Sequence, residues 1–370
     1  MHIVVIGCGI VGAAIAYELS QVEGLKVTVI DQKPPAQAST GAALGVLMAI
    51  ISHKVKGKAW RMRQTSIETY EEWIPKLESA SGRKIPCNRQ GILSLCLDGD
   101  DLTGWENLAK IRHSQGWQLE VWDRNQLQQV CPQVNIEKFV GAVYSPQDRQ
   151  IDPTTLTLAL VDAAILNGVN FKFGVQVSGL IASPNTQGEK TGIATSDGKI
   201  TADKFIIAAG LGSTDLTREL QQKVDIRPVL GQAIHFHVGH ALGNQEFQPA
   251  LTGNDVHIVP CGIGIVPTTD YWVGATVEFP NPEGNSLPPN AELLETVKQQ
   301  AISYCPELAN ATITRTWSGL RPRPENRPAP IIEKLPGFSH ILLATGHYRN
   351  GVLLAPATAI AIREMILNNS

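Results

Sequence analysis

Residues 3–6 form an unbroken β-branched run, Ile-Val-Val-Ile, a pattern that predicts a strand buried on both faces. Helical spacing follows over 13–20, and a second apolar run over 26–30 ends in the acid Asp31. After the loop KPPAQ, small residues dominate 38–48, ASTGAALGVLM, which reads as a helix with the hydroxyls of Ser39 and Thr40 ahead of it. Residues 60–81 carry Trp60, Ile67, Tyr70, Trp73 and Ile74 at intervals that give a helix one buried face. Alternation predicts strands at 91–97 and 141–145, with helices at 107–115 and 123–130 between them. Pro153 starts a helix that runs to 167. Strands are predicted at 169–173, 175–181 and 192–195, and KFIIAAG at 204–210 is a third strong apolar run. Further strands are expected at 231–238, 256–260, 264–267 and 271–277, a helix at 291–304, and a strand at 312–317. SGLRPRPENRPAP, from Ser318, is too rich in proline for a regular element. A strand at 341–344, a loop at 346–351 and a helix at 353–367 close the chain.

Strands alternating with helices predict an α/β fold with a Rossmann-like, doubly wound sheet. The β-rich stretches 86–139 and 226–318 read as excursions into a second, α+β part built on a large antiparallel sheet. The dinucleotide domain is then discontinuous: 1–85, 140–225 and 319–370.

Between the first strand and its helix stand Gly7, Gly9 and Gly12, a GxGxxG. Such glycines give a tight turn, a close backbone approach to a pyrophosphate, and close helix–strand packing. Ile10 and Val11 open the helix, whose free N–H groups and dipole favour the pyrophosphate. Asp31 follows at the usual distance of about 20 residues, beside Gln32, placed to accept from a ribose diol. The small segment, through Ser39, Thr40, Gly41, Ala43, Leu44, Gly45 and Val46, lets a planar cofactor lie against backbone; the alternative is a tightly packed core helix. Ala209 and Gly210 end the 204–210 strand on the cofactor side of the sheet.

The 370 residues leave room for two to three domains. Charged residues make up 18% and the net charge is −3, which disfavours nucleic acid and anionic membranes as partners. No membrane span is expected, and a strand beginning at Ile3 leaves no room for a signal peptide, so a cytoplasmic protein is expected. Six cysteines without CxxC spacing, and histidines without a ligand pattern, indicate neither a redox pair nor a metal.

TWSGLRP at 316–322 and ATGHYRNGVLLAPATA at 344–359 resemble signatures of the D-amino-acid oxidase superfamily, and within it the glycine oxidase branch. With GCGIVGAAIAYEL, ASTGAALG and KFIIAAG, the resemblance covers nearly the whole chain. It implies non-covalent FAD, a small amino acid or amine as substrate, and dioxygen or another electron acceptor; a homo-oligomer is compatible with it. GLRP makes Arg321, after Gly319, the partner of the substrate carboxylate. GHYRNG makes Arg349 a second candidate there. It also lays His347, Tyr348, Arg349, Asn350, Gly351, Val352 and Leu353 along the flavin. Val177 would meet the adenine through its backbone. Where the branch has a tyrosine before IVP this chain has His257, and RPENRPAPII departs from the usual continuation after GLRP. A histidine there makes the wall smaller and, below its pKa, cationic, favouring a polar or acidic substituent over bare glycine.

Oxidising an amine on a flavin needs orientation more than side-chain chemistry, because hydride passes to the cofactor. An arginine fork that grips a carboxylate supplies that orientation. Other readings stay open. Arg321 as an ion pair or loop cap, Arg349 as a contact to flavin or backbone, and His257, Tyr348 and Trp317 as packing groups all fit the residues alone. Two function classes follow: an amino-acid oxidase or dehydrogenase, and a flavin-binding protein without turnover. GLGSTD at 210 and GIGIVP at 262 lack a third glycine and a following helix, so a pyridine-nucleotide-driven enzyme is disfavoured.

Overall fold

The computed structural model describes residues 1–181, 192–218, 220, 224–262 and 268–368. Strand His2–Ile6 lies inside a six-stranded sheet, parallel to Lys26–Asp31 on one side and Lys204–Ile207 on the other. Asn170–Phe173 extends the first side, and Phe338–Thr345 with the antiparallel Ile331–Leu335 extends the second. The apolar run works as its composition requires. Ile3 and Val5 face the helical layer, and Val4 and Ile6 face the opposite core, so no position can be polar.

On the helical face pack Ile10–Ser20, Gly57–Ser81, Pro153–Leu166 and Gly351–Leu367. By length and composition alone, the closing segment Tyr348–Leu367 is apolar and long enough to cross a membrane. Here it is a core helix, with Ala355, Ala359, Ile362 and Ile366 fully buried and the Val352 carbonyl accepting from the Tyr70 hydroxyl at 2.5 Å. The opposite face is covered by the hairpin strands Val177–Ile181, Gly192–Thr195 and Gly198–Thr201.

A second sheet has eight strands in the order Thr312–Pro324, Ile226–His237, Asp270–Gly274, Val256–Pro260, Ala250–Gly253, Ile92–Leu97, Phe139–Ser145, Glu120–Asp123. It is antiparallel except where Ala250–Gly253 runs parallel to Ile92–Leu97. The expected divisions at 139/140 and 318/319 fall inside Phe139–Ser145 and Thr312–Pro324, which both continue in this sheet.

Several expected elements differ. Residues 38–48 form turns ending in the two-residue strand Val46–Leu47, not a helix. Backbone contact excludes coiling there: a Cβ on Gly41 would lie 2.3 Å from the Ala36 carbonyl oxygen, and one on Gly45 1.7 Å from that of Ile151. The proline-rich stretch continues as strand to Pro324. It is an edge strand, where a missing N–H is tolerated, and Pro322 sits opposite Pro228. A short helix, Ser213–Arg218, does follow GLG. Ala250–Gly253, Gly198–Thr201 and Ile331–Leu335 were not foreseen, and the strand expected at 264–267 lies outside the described residues.

The loop leaving Val46–Leu47 is clamped from both sides. The buried Asp148 carboxylate accepts from the backbone N–H of Ala49, Ile50 and Ile51 at 2.7, 2.9 and 2.8 Å, and from the Ser145 hydroxyl at 2.8 Å. Arg112, fully buried, donates to the carbonyls of Ile50, Ser52 and Lys54 and stacks 3.7 Å above Trp60. Burial pushes its pKa down to about 10.

Candidate active site

The C-terminal ends of the parallel strands open into a cavity of about 360 Å³, shared with the large sheet. Gly7, Gly9, Ile10, Val11, Asp31 and Gln32 form one end. A Cβ on Gly12 would lie 1.9 Å from the Gly7 oxygen, so Gly12 acts behind the wall, in helix–strand packing. The helix Ile10–Ser20 starts at Gly9, which has no side chain to cap it, and its dipole points at the cavity, where it favours an anion. The Asp31 carboxylate accepts from Cys8 N–H at 2.7 Å and Lys33 N–H at 2.9 Å. These bonds hold it in place while leaving acceptor capacity on both oxygens.

Ser39, Thr40, Ala43, Leu44, Gly45 and Val46 form a long wall. Both hydroxyls are committed to the protein: Ser39 donates to the Leu320 carbonyl at 2.6 Å, and Thr40 accepts from Ile10 N–H at 3.0 Å. Gly41 lies behind this wall against Ala36. Ala209, Gly210, Gly319, His347, Tyr348, Arg349, Gly351, Val352 and Leu353 complete the enclosure. Asn350 is set back in the turn, its N–H donating to the His347 carbonyl at 3.0 Å. Val177 is not part of the wall and packs on the core behind the sheet, although Val175 N–H bonds to the Asp31 carbonyl. Trp317 is half-buried and donates to the Ala42 carbonyl at 3.1 Å.

At the sheet end, Arg321 is held by its Nη1, which donates to the Leu230 carbonyl at 3.2 Å and the Thr276 carbonyl at 3.0 Å. Both carbonyls belong to a braced segment. The Thr276 hydroxyl donates to Glu278 at 2.5 Å, and Glu278 exchanges backbone bonds with Leu230. Among the described residues no carboxylate bonds to Arg321. Burial, then the Arg349 charge, lowers its pKa, so an anion entering the cavity meets a guanidinium lacking a counter-ion. Gly231 makes this placement possible, since a Cβ there would lie 2.2 Å from Arg321 Nη2. An isolated glycine inside the run VLGQA was the available signal for that close approach.

Arg349 departs from the simplest expectation. It lines the cavity, but its Nη2 donates to Asp255 Oδ1 at 2.8 Å. Asp255 sits on the turn between Ala250–Gly253 and Val256–Pro260, with Asn254 and Asp255 at φ 44° and 62°. The Asn-Asp pair between two apolar runs is the hairpin signal that could have revealed it. Tyr348 also lines the cavity, in a left-handed conformation at φ 53°.

His257 is half-buried on the cavity wall, with Nδ1 out of solvent and unbonded among the described residues. Burial, then the Arg349 guanidinium, pushes its pKa down to about 4. The ring is therefore neutral near pH 7, and a cationic wall exists only in acid. His347 is buried, and its Nε2 lies 2.9 Å from Thr358 Oγ1, whose hydroxyl donates to the Leu354 carbonyl. That chain assigns the proton to Nε2 and leaves Nδ1 bare. Burial pushes this pKa to about 4 as well.

Both histidines take up protons at lower pH folded than unfolded. The unfolded chain binds more protons between about 6.5 and 4, so stability falls as pH falls through that window. The thermal midpoint should drop across it, and His347→Gln should flatten the drop; an unchanged slope would remove His347 as a source.

A parallel sheet with GxGxxG, a placed acid and a small-residue cavity defines a dinucleotide-cofactor protein. The chain matches the DAO family, described as FAD dependent oxidoreductase, over residues 2–365. It belongs to this family, and FAD is its cofactor. It is 32% identical over 376 aligned residues to the bifunctional protein ThiO/ThiG of Trichormus variabilis, with 99% of this chain and 52% of that relative covered. The chain thus spans about half the length of that relative. With the glycine oxidase of Pseudomonas putida it shares 28% identity, covering 99% of this chain and 94% of that one. The crystal structure of glycine oxidase from Geobacillus kaustophilus superposes with a TM-score of 0.86 at 21% identity, covering 99% of this chain and 94% of that chain, a likeness of fold.

Proposed function

We propose that the chain oxidises the C–N bond of a small amino acid or N-substituted glycine to an imine, with dioxygen as acceptor, as a glycine oxidase-like enzyme. The observation that carries this reading is Arg321: a guanidinium in the cofactor cavity, braced by two carbonyls, with no bonded carboxylate among the described residues. Its planar fork suits the substrate carboxylate. The names of the relatives support an amine as the oxidised group.

The residues present fit FAD. Gly7, Gly9 and the helix start at Ile10 and Val11, where the Ile10 N–H is already bonded to Thr40, would hold the pyrophosphate, and Asp31 the ribose. The wall from Ser39 to Val46 and the segment from His347 to Leu353 would flank the ring system. When bound, the flavin supplies a two-electron oxidant. The chain's own part is orientation: Arg321 fixes the carboxylate end, and the apolar wall of Leu44, Ala233 and Val46 excludes water. Neutral His257 and His347 offer no positive charge to repel an amine at neutral pH. We assign 1–85, 140–225 and 319–370 to the cofactor domain and the rest to the substrate domain, the chain crossing within Phe139–Ser145 and Thr312–Pro324.

Anaerobic mixing with glycine, sarcosine, D-alanine, D-proline and iminodiacetate tests the proposal through loss of flavin absorbance. Bleaching by at least one is the expected result; none would leave a flavin-binding protein without turnover. Readmitted air should then yield peroxide stoichiometric with imine-derived ammonia or amine, and its absence would point to a quinone- or dye-linked dehydrogenase. The flavin should also be released by acid precipitation, because no cysteine lies in 344–359; yellow colour in the washed pellet would contradict this.

A further inference from the structure

Resting on the amine-oxidising reading above, we propose that this cavity selects a dicarboxylic amine, Arg321 holding the first carboxylate and Arg349 the second, which takes the place of Asp255. Two guanidinium groups line one cavity, close enough for the charge of one to act on the other. Arg321 has no bonded carboxylate among the described residues. Arg349 has a single bond to one oxygen of Asp255, and the other oxygen of that carboxylate makes no bond among the described residues.

Asp255 is a poor permanent partner. Its side chain is 64% exposed, at the tip of a two-residue turn. An ion pair so exposed is weak, since water and salt compete for both members. A ligand carboxylate gripped through two parallel N–H bonds outmatches it, and the displaced Asp255 returns to solvent it already touches. Arg349 is the more enclosed partner, 34% exposed, so the exchange moves the anion inward. The charges also match. An amine that is neutral when oxidised, with two carboxylates, brings two negative charges to two guanidinium groups. A monocarboxylic amine needs only Arg321 and leaves the Arg349–Asp255 pair closed. Asp255 thus acts as a stand-in for the second carboxylate, and its strength sets the selectivity.

Two ether analogues that cannot be oxidised at nitrogen test this on the FAD-loaded protein: methoxyacetate with one carboxylate, diglycolate with two. Their binding is read from perturbation of the flavin spectrum. Diglycolate should bind at least about tenfold more tightly, in line with an added charge-assisted fork. Asp255→Asn should widen that ratio, and Arg349→Gln should bring it to about one, the loss of a paired charge. Equal affinity in the wild type, or a ratio unmoved by Arg349→Gln, would overturn the inference and leave the amine-oxidising reading standing. Failure of both anions to bind would remove the Arg321 reading and this inference with it.

Discussion

Arg321→Ala should retain FAD with an unaltered spectrum and lose about 2–5 kcal/mol of carboxylate binding, the usual effect of deleting one member of a buried charge pair. Its Nη1 braces against Leu230 and Thr276 rather than against another charge, so the loss falls on the ligand. Arg321→Lys should recover only part, because an ammonium cannot make two parallel bonds. Gly231→Ala offers an independent check: its Cβ would lie 2.2 Å from Nη2, displacing the fork without removing the charge. Methoxyacetate titration reads all three variants. If the wild type oxidises amines lacking a carboxylate equally well, the role assigned to Arg321 is wrong.

Asp148→Ala should cost about 3–5 kcal/mol of stability, as for removing a buried charge that others depend on. Three backbone N–H groups and the Ser145 hydroxyl lose their acceptor together, and no solvent reaches the site, Asp148 being fully buried. Burial also holds the carboxyl above its ordinary pKa despite those bonds. Asp148→Asn keeps one acceptor oxygen and should cost less, about 1–3 kcal/mol. Because the clamped loop continues the small-residue wall, weaker FAD retention should accompany the loss. Urea midpoints of apo- and holoprotein measure both effects; an unchanged apoprotein midpoint would show that the loop holds without Asp148.

The glycine-turn end of the cavity was legible because its signals are local. Gly7, Gly9, Gly12 and Asp31 lie within one strand–helix–strand unit, where composition and spacing alone determine who meets whom. The segment 38–48 misled because small residues serve two purposes. They permit helix packing, and they also permit backbone to pass within contact of backbone, as Gly41 and Gly45 do. The prolines after Trp317 argued against a strand, but an edge position relieves the penalty, and edge position is a property of the whole sheet. The Asn-Asp pair marks the turn that carries Asp255, but which residue its carboxylate meets is again a property of the whole fold. Its partner Arg349 lies 94 residues away, beyond the range of any local pattern.

The cavity takes walls from Gly7–Val11 and from Ala344–Leu353, and the first helix packs against the last. The cavity is therefore incomplete until residues 344–353 have been synthesised. The glycine turn, though made early, must wait for a strand and helix made much later. Flavin captured there would follow completion of both walls, and a ligand that binds only the assembled state stabilises it by mass action. Cells short of riboflavin should then accumulate this protein in a form that proteases open more readily, so that vitamin supply sets its abundance as well as its colour.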